Sequence, residues 1–203
     1  MPIKIVIQGD VELRKALRKF TPDLEKTLRK RIGAALRPVV REARGFVPAQ
    51  SPMSGWASRS YKEGKFPTYT ASTIIAGITY SAVPGKKNAN GFRSMASVLN
   101  KSRVGAIYEG AGRLNNGKGQ PWVGPKAGGS SNKVSHSVNP KAGEQFIKNL
   151  PDLSSSLKGR GRLIYRAWGN NQGKAEGAVN KAVSEALGTF RARSATKSIG
   201  KAA

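Results

Sequence analysis

The only histidine, His136, stands between two serines in Val134-Ser135-His136-Ser137-Val138. A Ser–His pair performs acyl transfer only when a carboxylate orients the imidazole. The nearest acid along the chain is Glu144, and the surrounding sequence is loop-like. A surface or interface histidine is the simpler reading. One histidine, no cysteine and scattered carboxylates give no metal-ligand cluster, and disulfides are excluded. The acid pairs Asp10/Glu12 and Asp23/Glu25 are close enough for proton transfer work. Both stand at expected helix starts, where the helix dipole accounts for them. Gly112-Arg113-Leu114-Asn115-Asn116-Gly117-Lys118 matches a phosphate-loop pattern, but Gly119 replaces the hydroxyl residue that would reach the metal ion. Glu109 differs from the other acids. It lies in an apolar segment, Ala106-Ile107-Tyr108-Glu109-Gly110, with no acid near it. That setting suits a buried partner for an arginine or an ion pair across a subunit boundary. These residues point away from an enzyme, and no cofactor is expected.

Charge is the strongest signal. The 203 residues include 36 Lys and Arg against 11 Asp and Glu, a formal net charge of +25. Residues 1–48 carry 12 basic and 5 acidic groups, residues 49–140 carry 12 and 2, and residues 141–203 carry 12 and 4. The excess is spread along the chain and is not a detachable tail. Such a surface attracts polyanions or acidic protein faces, beyond what solubility requires. Arg59, Tyr61, Lys62, Lys65, Phe66 and Tyr69 interleave bases with aromatics, as stacking platforms for single strands do. No zinc-finger, RNP-type or basic-zipper pattern accompanies them, so a nucleic-acid-binding alternative would be non-specific.

The elements that must position these groups follow from periodicity. Ile3, Ile5 and Ile7 alternate as in a half-buried strand over 2–9, and Asp10 is a candidate N-cap for a short helix. Thr21-Pro22 predicts an N-cap and first helical residue for a long helix over 22–46. Its apolar stripe is Leu24, Leu28, Ile32, Leu36, Val39, Val40 and Ala43, and its other face carries Lys26, Arg29, Lys30, Arg31, Arg37, Arg41 and Arg44. Pro38 inside that pattern predicts a kink or a split. Residues 47–72 read as a long loop with Trp56 and Tyr61. Strands are expected at 73–83 and near 92–99, joined by a basic tip holding Lys86 and Lys87. A short apolar element spans 104–110, a short helix 142–150 ends before Pro151, and Leu163-Ile164-Tyr165 reads as a strand. A closing helix over 171–190 has a stripe of Ala175, Ala178, Val179, Ala182, Val183, Ala186, Leu187 and Phe190. The basic tail 191–203 is expected to fray. Together these predict one α+β domain. A small, mostly antiparallel sheet packs on the long N-terminal helix and the C-terminal helix, with long excursions at 47–72 and 111–160. No apolar stretch is long enough to span a bilayer, and no secretory signal opens the chain.

The opening Gly9-Asp10-Val11-Glu12-Leu13-Arg14-Lys15-Ala16-Leu17, the helix ending Leu36-Arg37-Pro38-Val39-Val40-Arg41-Glu42-Ala43-Arg44 before Val47-Pro48, and Gly105-Ala106-Ile107-Tyr108-Glu109-Gly110 share a pattern. Together with the closing helix they resemble the tail-completion, or head–tail joining, proteins of long-tailed bacteriophages. The likeness covers roughly 100 residues, at both ends and at 104–113. Pro121-Trp122-Val123-Gly124-Pro125 stands where that family commonly has a Pro-Phe-x-x-Pro-Ala run, and 114–160 reads as an elaboration. The resemblance implies a structural virion protein, assembled in the host cytoplasm. It would form a homo-oligomeric ring, expected to be a hexamer, that ends the tail tube and joins it to the head-side connector. Its partners would be copies of itself, the tail tube protein, the connector and, in passing, double-stranded DNA. Expected subunit contacts are Glu109, Arg113, Trp122, Trp56 and Tyr61. Lys86, Lys87 and Lys118 are expected at loop tips facing DNA or an acidic neighbour.

Overall fold

The computed structural model describes residues 3–5, 10–53, 55–56, 67–86, 89, 93–112, 142–156 and 159–199. The elements run in the order β1 (Ile3–Ile5), α1 (Asp10–Phe20), α2 (Pro22–Gly45), α3 (Ala71–Gly77), β2 (Ile78–Ser81), β3 (Ala96–Asn100), α4 (Arg103–Gly110), α5 (Ala142–Lys148), β4 (Ser154–Ser156), β5 (Gly159–Gly161) and α6 (Ile164–Ile199). The architecture is α+β, as the sequence predicts.

Helix α2 forms because one stripe can be buried along its whole length. Leu28, Ile32, Leu36, Val39, Val40 and Ala43 are buried, and Leu28, Ile32, Leu36 and Val39 are 1% exposed or less. Pro22 takes the first helical position. Thr21 contributes its carbonyl, which accepts from the Leu24 and Glu25 N–H groups at 3.0 and 3.3 Å. Its hydroxyl makes no cap. The helix passes through Pro38 without dividing. Pro38 removes one backbone bond, to the carbonyl of Ala34, and both residues are exposed. Water can satisfy that carbonyl, so the split expected at this point does not occur.

The main sheet has the order β1-β3-β2 and is antiparallel throughout. Ile3 faces Val98, Ile5 faces Ala96, Tyr80 faces Val98 and Ile78 faces Asn100. Ile3, Ile5, Ile78, Ala96 and Val98 are buried, whereas Lys4 between its two isoleucines is exposed. The sheet thus packs one face against α2 and α6. Gly33 is where α2 meets β2: a Cβ there would lie 2.8 Å from the Tyr80 hydroxyl oxygen.

Helix α6 is the longest element, 36 residues, and packs chiefly on α2. Ala167, Trp168, Ala175, Val179, Ala182, Val183 and Ala186 form its buried side. The alanines let the two helix backbones approach closely. Polar ties reinforce the contact. Asn170 and Asn171 both donate to Glu42, Arg31 pairs with Glu185, and Arg193 reaches Asp23 at 2.7 Å.

Several sequence expectations need correction. The segment 73–83 is not one strand: Ala71–Gly77 is helical and only Ile78–Ser81 is extended. Leu163-Ile164-Tyr165 is not a strand but the entry to α6, which starts seven residues before the expected 171. Its end also lies beyond 190, since helix continues through the basic stretch to Ile199. The excursion 111–160 contains the anticipated short helix, α5, and a small hairpin, β4–β5, with Ser154 opposite Gly161. Among the described residues no helix is long and apolar enough to cross a membrane.

Candidate functional site

Two arrangements of charge organise the molecule, one buried and one open. The buried one lies where α4 meets α6. Ser102 caps α4, its hydroxyl accepting from the Gly105 N–H at 3.0 Å. Val104 and Tyr108 anchor the helix in the core, and this directs Glu109 inward, 3% exposed. The Glu109 carboxylate accepts from the Leu163 N–H at 2.5 Å, the Ile164 N–H at 3.2 Å and the Tyr165 N–H at 2.9 Å. These are the orphan donors of the first turn of α6, where the helix dipole favours negative charge.

The cation that helps balance this carboxylate is Arg162, one residue before that turn and 4% exposed. Its guanidinium donates to the Tyr108 and Ala111 carbonyls at 3.0 and 2.9 Å, and to the Pro151 carbonyl at 2.5 Å. Tyr108 and Ala111 belong to the C-terminal end of α4, where carbonyls lack helical partners and the dipole favours a cation. The junction is therefore reciprocal. The acid of α4 caps the start of α6, and the arginine before α6 caps the end of α4. Gly161 completes it, because a Cβ there would collide with the Glu109 carboxylate.

Aromatic rings extend the junction. Tyr108 meets Tyr69 with ring centroids 6.3 Å apart; Tyr69 meets Trp56 at 5.2 Å, and Trp56 meets Phe146 of α5 at 5.2 Å. The Trp56 indole N–H donates to the Pro67 carbonyl at 2.8 Å, and the Tyr69 hydroxyl donates to the Pro48 carbonyl at 2.6 Å. Burial pushes the Tyr69 phenol up to about 12, with the neighbouring Tyr108 adding to it. Tyr108 is also raised, first by burial, while the Arg162 charge opposes the shift.

A second buried acid, Glu25, sits among three arginines: Arg29 at 2.8 Å, Arg18 at 3.6 Å and Arg14 at 3.8 Å. Burial would raise its carboxyl, but the Arg29 hydrogen bond and the charges of Arg29, Arg18 and Arg14 outweigh it and hold the group below its usual range. Arg14, 2% exposed, also donates to the Ala82 and Met95 carbonyls, fastening α1 to the sheet strands.

These contacts change the reading of the sequence-predicted residues. Glu109 makes no direct ion pair with an arginine among the described residues, since backbone N–H groups of its own chain occupy its carboxylate. Trp56 is not a surface contact: it is 3% exposed and part of the core. Lys86 is exposed. Arg113, Trp122, Tyr61, Lys87, Lys118 and His136 lie outside the described residues. Sequence reasoning missed Arg162 altogether. It is one of 36 basic residues, and only its position between two helix ends distinguishes it.

Several of the described carboxylates hold the fold together. Glu25, Glu109, Asp23, Glu42 and Glu185 hold hydrogen bonds or ion pairs that fasten one element to another, and Glu176 accepts from Gln172 within α6. Among the described residues no three His, Cys, Asp or Glu side chains come together as a metal site would require. A groove of about 300 Å³ between α2 and α6 is floored by Leu24, Leu28, Ala182 and Ala186, with the Arg31–Glu185 pair in its lining. The Thr27 and Thr189 hydroxyls in its lining donate to the Asp23 and Glu185 backbone carbonyls, both at 2.9 Å.

The open arrangement is the outer face of α2. Lys26, Lys30, Arg37, Arg41 and Arg44 are exposed, opposite the buried stripe. The Arg44 guanidinium donates to the Ile78 carbonyl at 2.8 and 3.1 Å, while Lys26, Lys30, Arg37 and Arg41 have no acidic partner among the described residues. Comparison with known proteins finds no matching family model, no similar curated protein and no similar solved structure.

Proposed function

We propose that the protein is a structural virion subunit at the neck of a long-tailed bacteriophage. It forms a homo-oligomeric ring that terminates the tail tube and joins it to the head-side connector. The observation that carries this reading is the order of elements around the Gly105–Gly110 segment. A short strand, a long basic helix and paired strands lead to that segment, and its glutamate fastens the closing helix. This is the order on which the resemblance to head–tail joining proteins rests. The use of five carboxylates as fastenings also suits a subunit whose work is mechanical.

The test is the mass of the purified protein in solution, alone and mixed with tail tube protein. A closed ring in either sample, with the hexamer as the expected size, is the predicted outcome. A strict monomer in both samples would overturn the reading.

A further inference from the structure

We propose that the outer face of α2 is a binding surface for the phosphate backbone of duplex nucleic acid. Its cations are aligned. Lys26, Lys30, Arg37, Arg41 and Arg44 are separated by 4, 7, 4 and 3 residues. At 100° per residue they fall within an arc of about 60°, and from end to end they span about 27 Å of helix. The row is interrupted at position 33, a buried glycine where Tyr80 of β2 packs on α2. The cations therefore form two clusters on one side of the helix, Lys26 with Lys30 and Arg37 with Arg41 and Arg44.

Its composition favours phosphates over an acidic protein. A protein interface is organised around an apolar, well-packed centre from which charge is depleted. Among the described residues the exposed large hydrophobics are Ile75 and Val83, and neither lies on α2. Between the cations α2 exposes only Thr27, Arg31, Ala34 and Pro38. A ridge without apolar anchors gains little against a folded protein. Against duplex DNA, which carries about one charge per 1.7 Å of axis, each cation releases a counterion. No side chain on the ridge is arranged to read base edges, so binding is sequence-independent. Four unpaired cations predict a slope of log affinity against log salt of about −4.

The inference stands apart from the ring reading, because DNA affinity is measured on whatever oligomer forms and mass is recorded in the same samples. The experiment titrates salt against a fluorescent DNA duplex with three forms of the full chain. These are the parent, the quadruple variant K26A/K30A/R37A/R41A, and the control K15A/K174A/K181A/R191A. The control removes the same charge from exposed positions on α1 and α6. Alanine preserves helix at every one of these sites, and circular dichroism verifies this. We expect the α2 variant to lose at least tenfold in affinity at about 0.1 M salt and about three to four units of slope, while the control stays within threefold of the parent. Equal losses in both variants would overturn the proposal, since net charge and not this face would then govern binding. So would a parent protein that binds polyglutamate as tightly as the duplex at matched charge.

Discussion

The α4–α6 junction and the outer face of α2 treat charge in opposite ways. At the junction one carboxylate and one guanidinium are almost fully removed from water, and backbone groups satisfy both. On α2 at least four cations stand in solvent with no acid beside them. Burying a charge is costly unless every lone pair and proton is matched, so the junction fixes geometry closely. Exposed cations cost the fold little and hold nothing together. They remain available to whatever meets them. A net charge of +25 is thus divided between a few groups that build the subunit and many that face outward.

This contrast is most directly broken at Glu109. Glu109→Ala leaves three N–H groups and the Arg162 charge without their counterpart, and we expect a loss of about 3 kcal/mol in unfolding free energy. Urea denaturation would measure it, and a loss below about 0.5 kcal/mol would show that water replaces the carboxylate. Glu109→Gln keeps the shape but removes the charge, and should fall between alanine and the parent.

A pH titration sharpens the comparison, because the aromatic cluster beside the junction holds a phenol raised by burial. Tyr69 binds its proton more tightly folded, at about 12, than unfolded, near 10. Between those values the unfolded state holds fewer protons. The stability linked to Tyr69 is therefore complete below about pH 10 and is lost as pH rises towards 12. Tyr69→Phe should flatten this alkaline decline without abolishing it, since Tyr108 is raised as well. An unchanged slope would count against a buried Tyr69.

The smallest effect belongs to the ridge. Arg37→Ala should alter unfolding free energy by less than about 0.5 kcal/mol, because an exposed unpaired charge contributes little to the fold. A thermal melt at low and high salt would check this. A loss of about 2 kcal/mol would mean that Arg37 belongs with the structural charges.

The features legible in the sequence were those written locally. The stripes of α2 and α6 repeat every three or four residues, and burial follows them from Leu28 to Ala43 and from Ala175 to Ala186 with the exception of Ala178, which is exposed. The failures have non-local causes. Ile74-Ile75 favours a strand by propensity, but packing buries Ile74 completely in a helical turn. Leu163-Ile164-Tyr165 has the composition of a strand, yet it begins a helix because its cap is supplied from 54 residues upstream. Glu109 was recognisable as an unusual acid from its apolar neighbours, whereas its partners were not, because backbone N–H groups leave no trace in composition. Trp56 looked exposed beside Pro, Ser and Gly, and its rings of contact come from Tyr69 and Phe146.

The reciprocal caps also bear on how this chain can diverge. They clasp residue 109 to residue 163 across a long stretch of sequence, so the two helices stay joined whatever length of chain runs between them. Closing a longer loop costs only about 0.6 kcal/mol per doubling. A change in the length of the connecting chain would then leave the clasp itself nearly as stable. The clasp thus makes the joint between α4 and α6 tolerant of the length of chain that separates them.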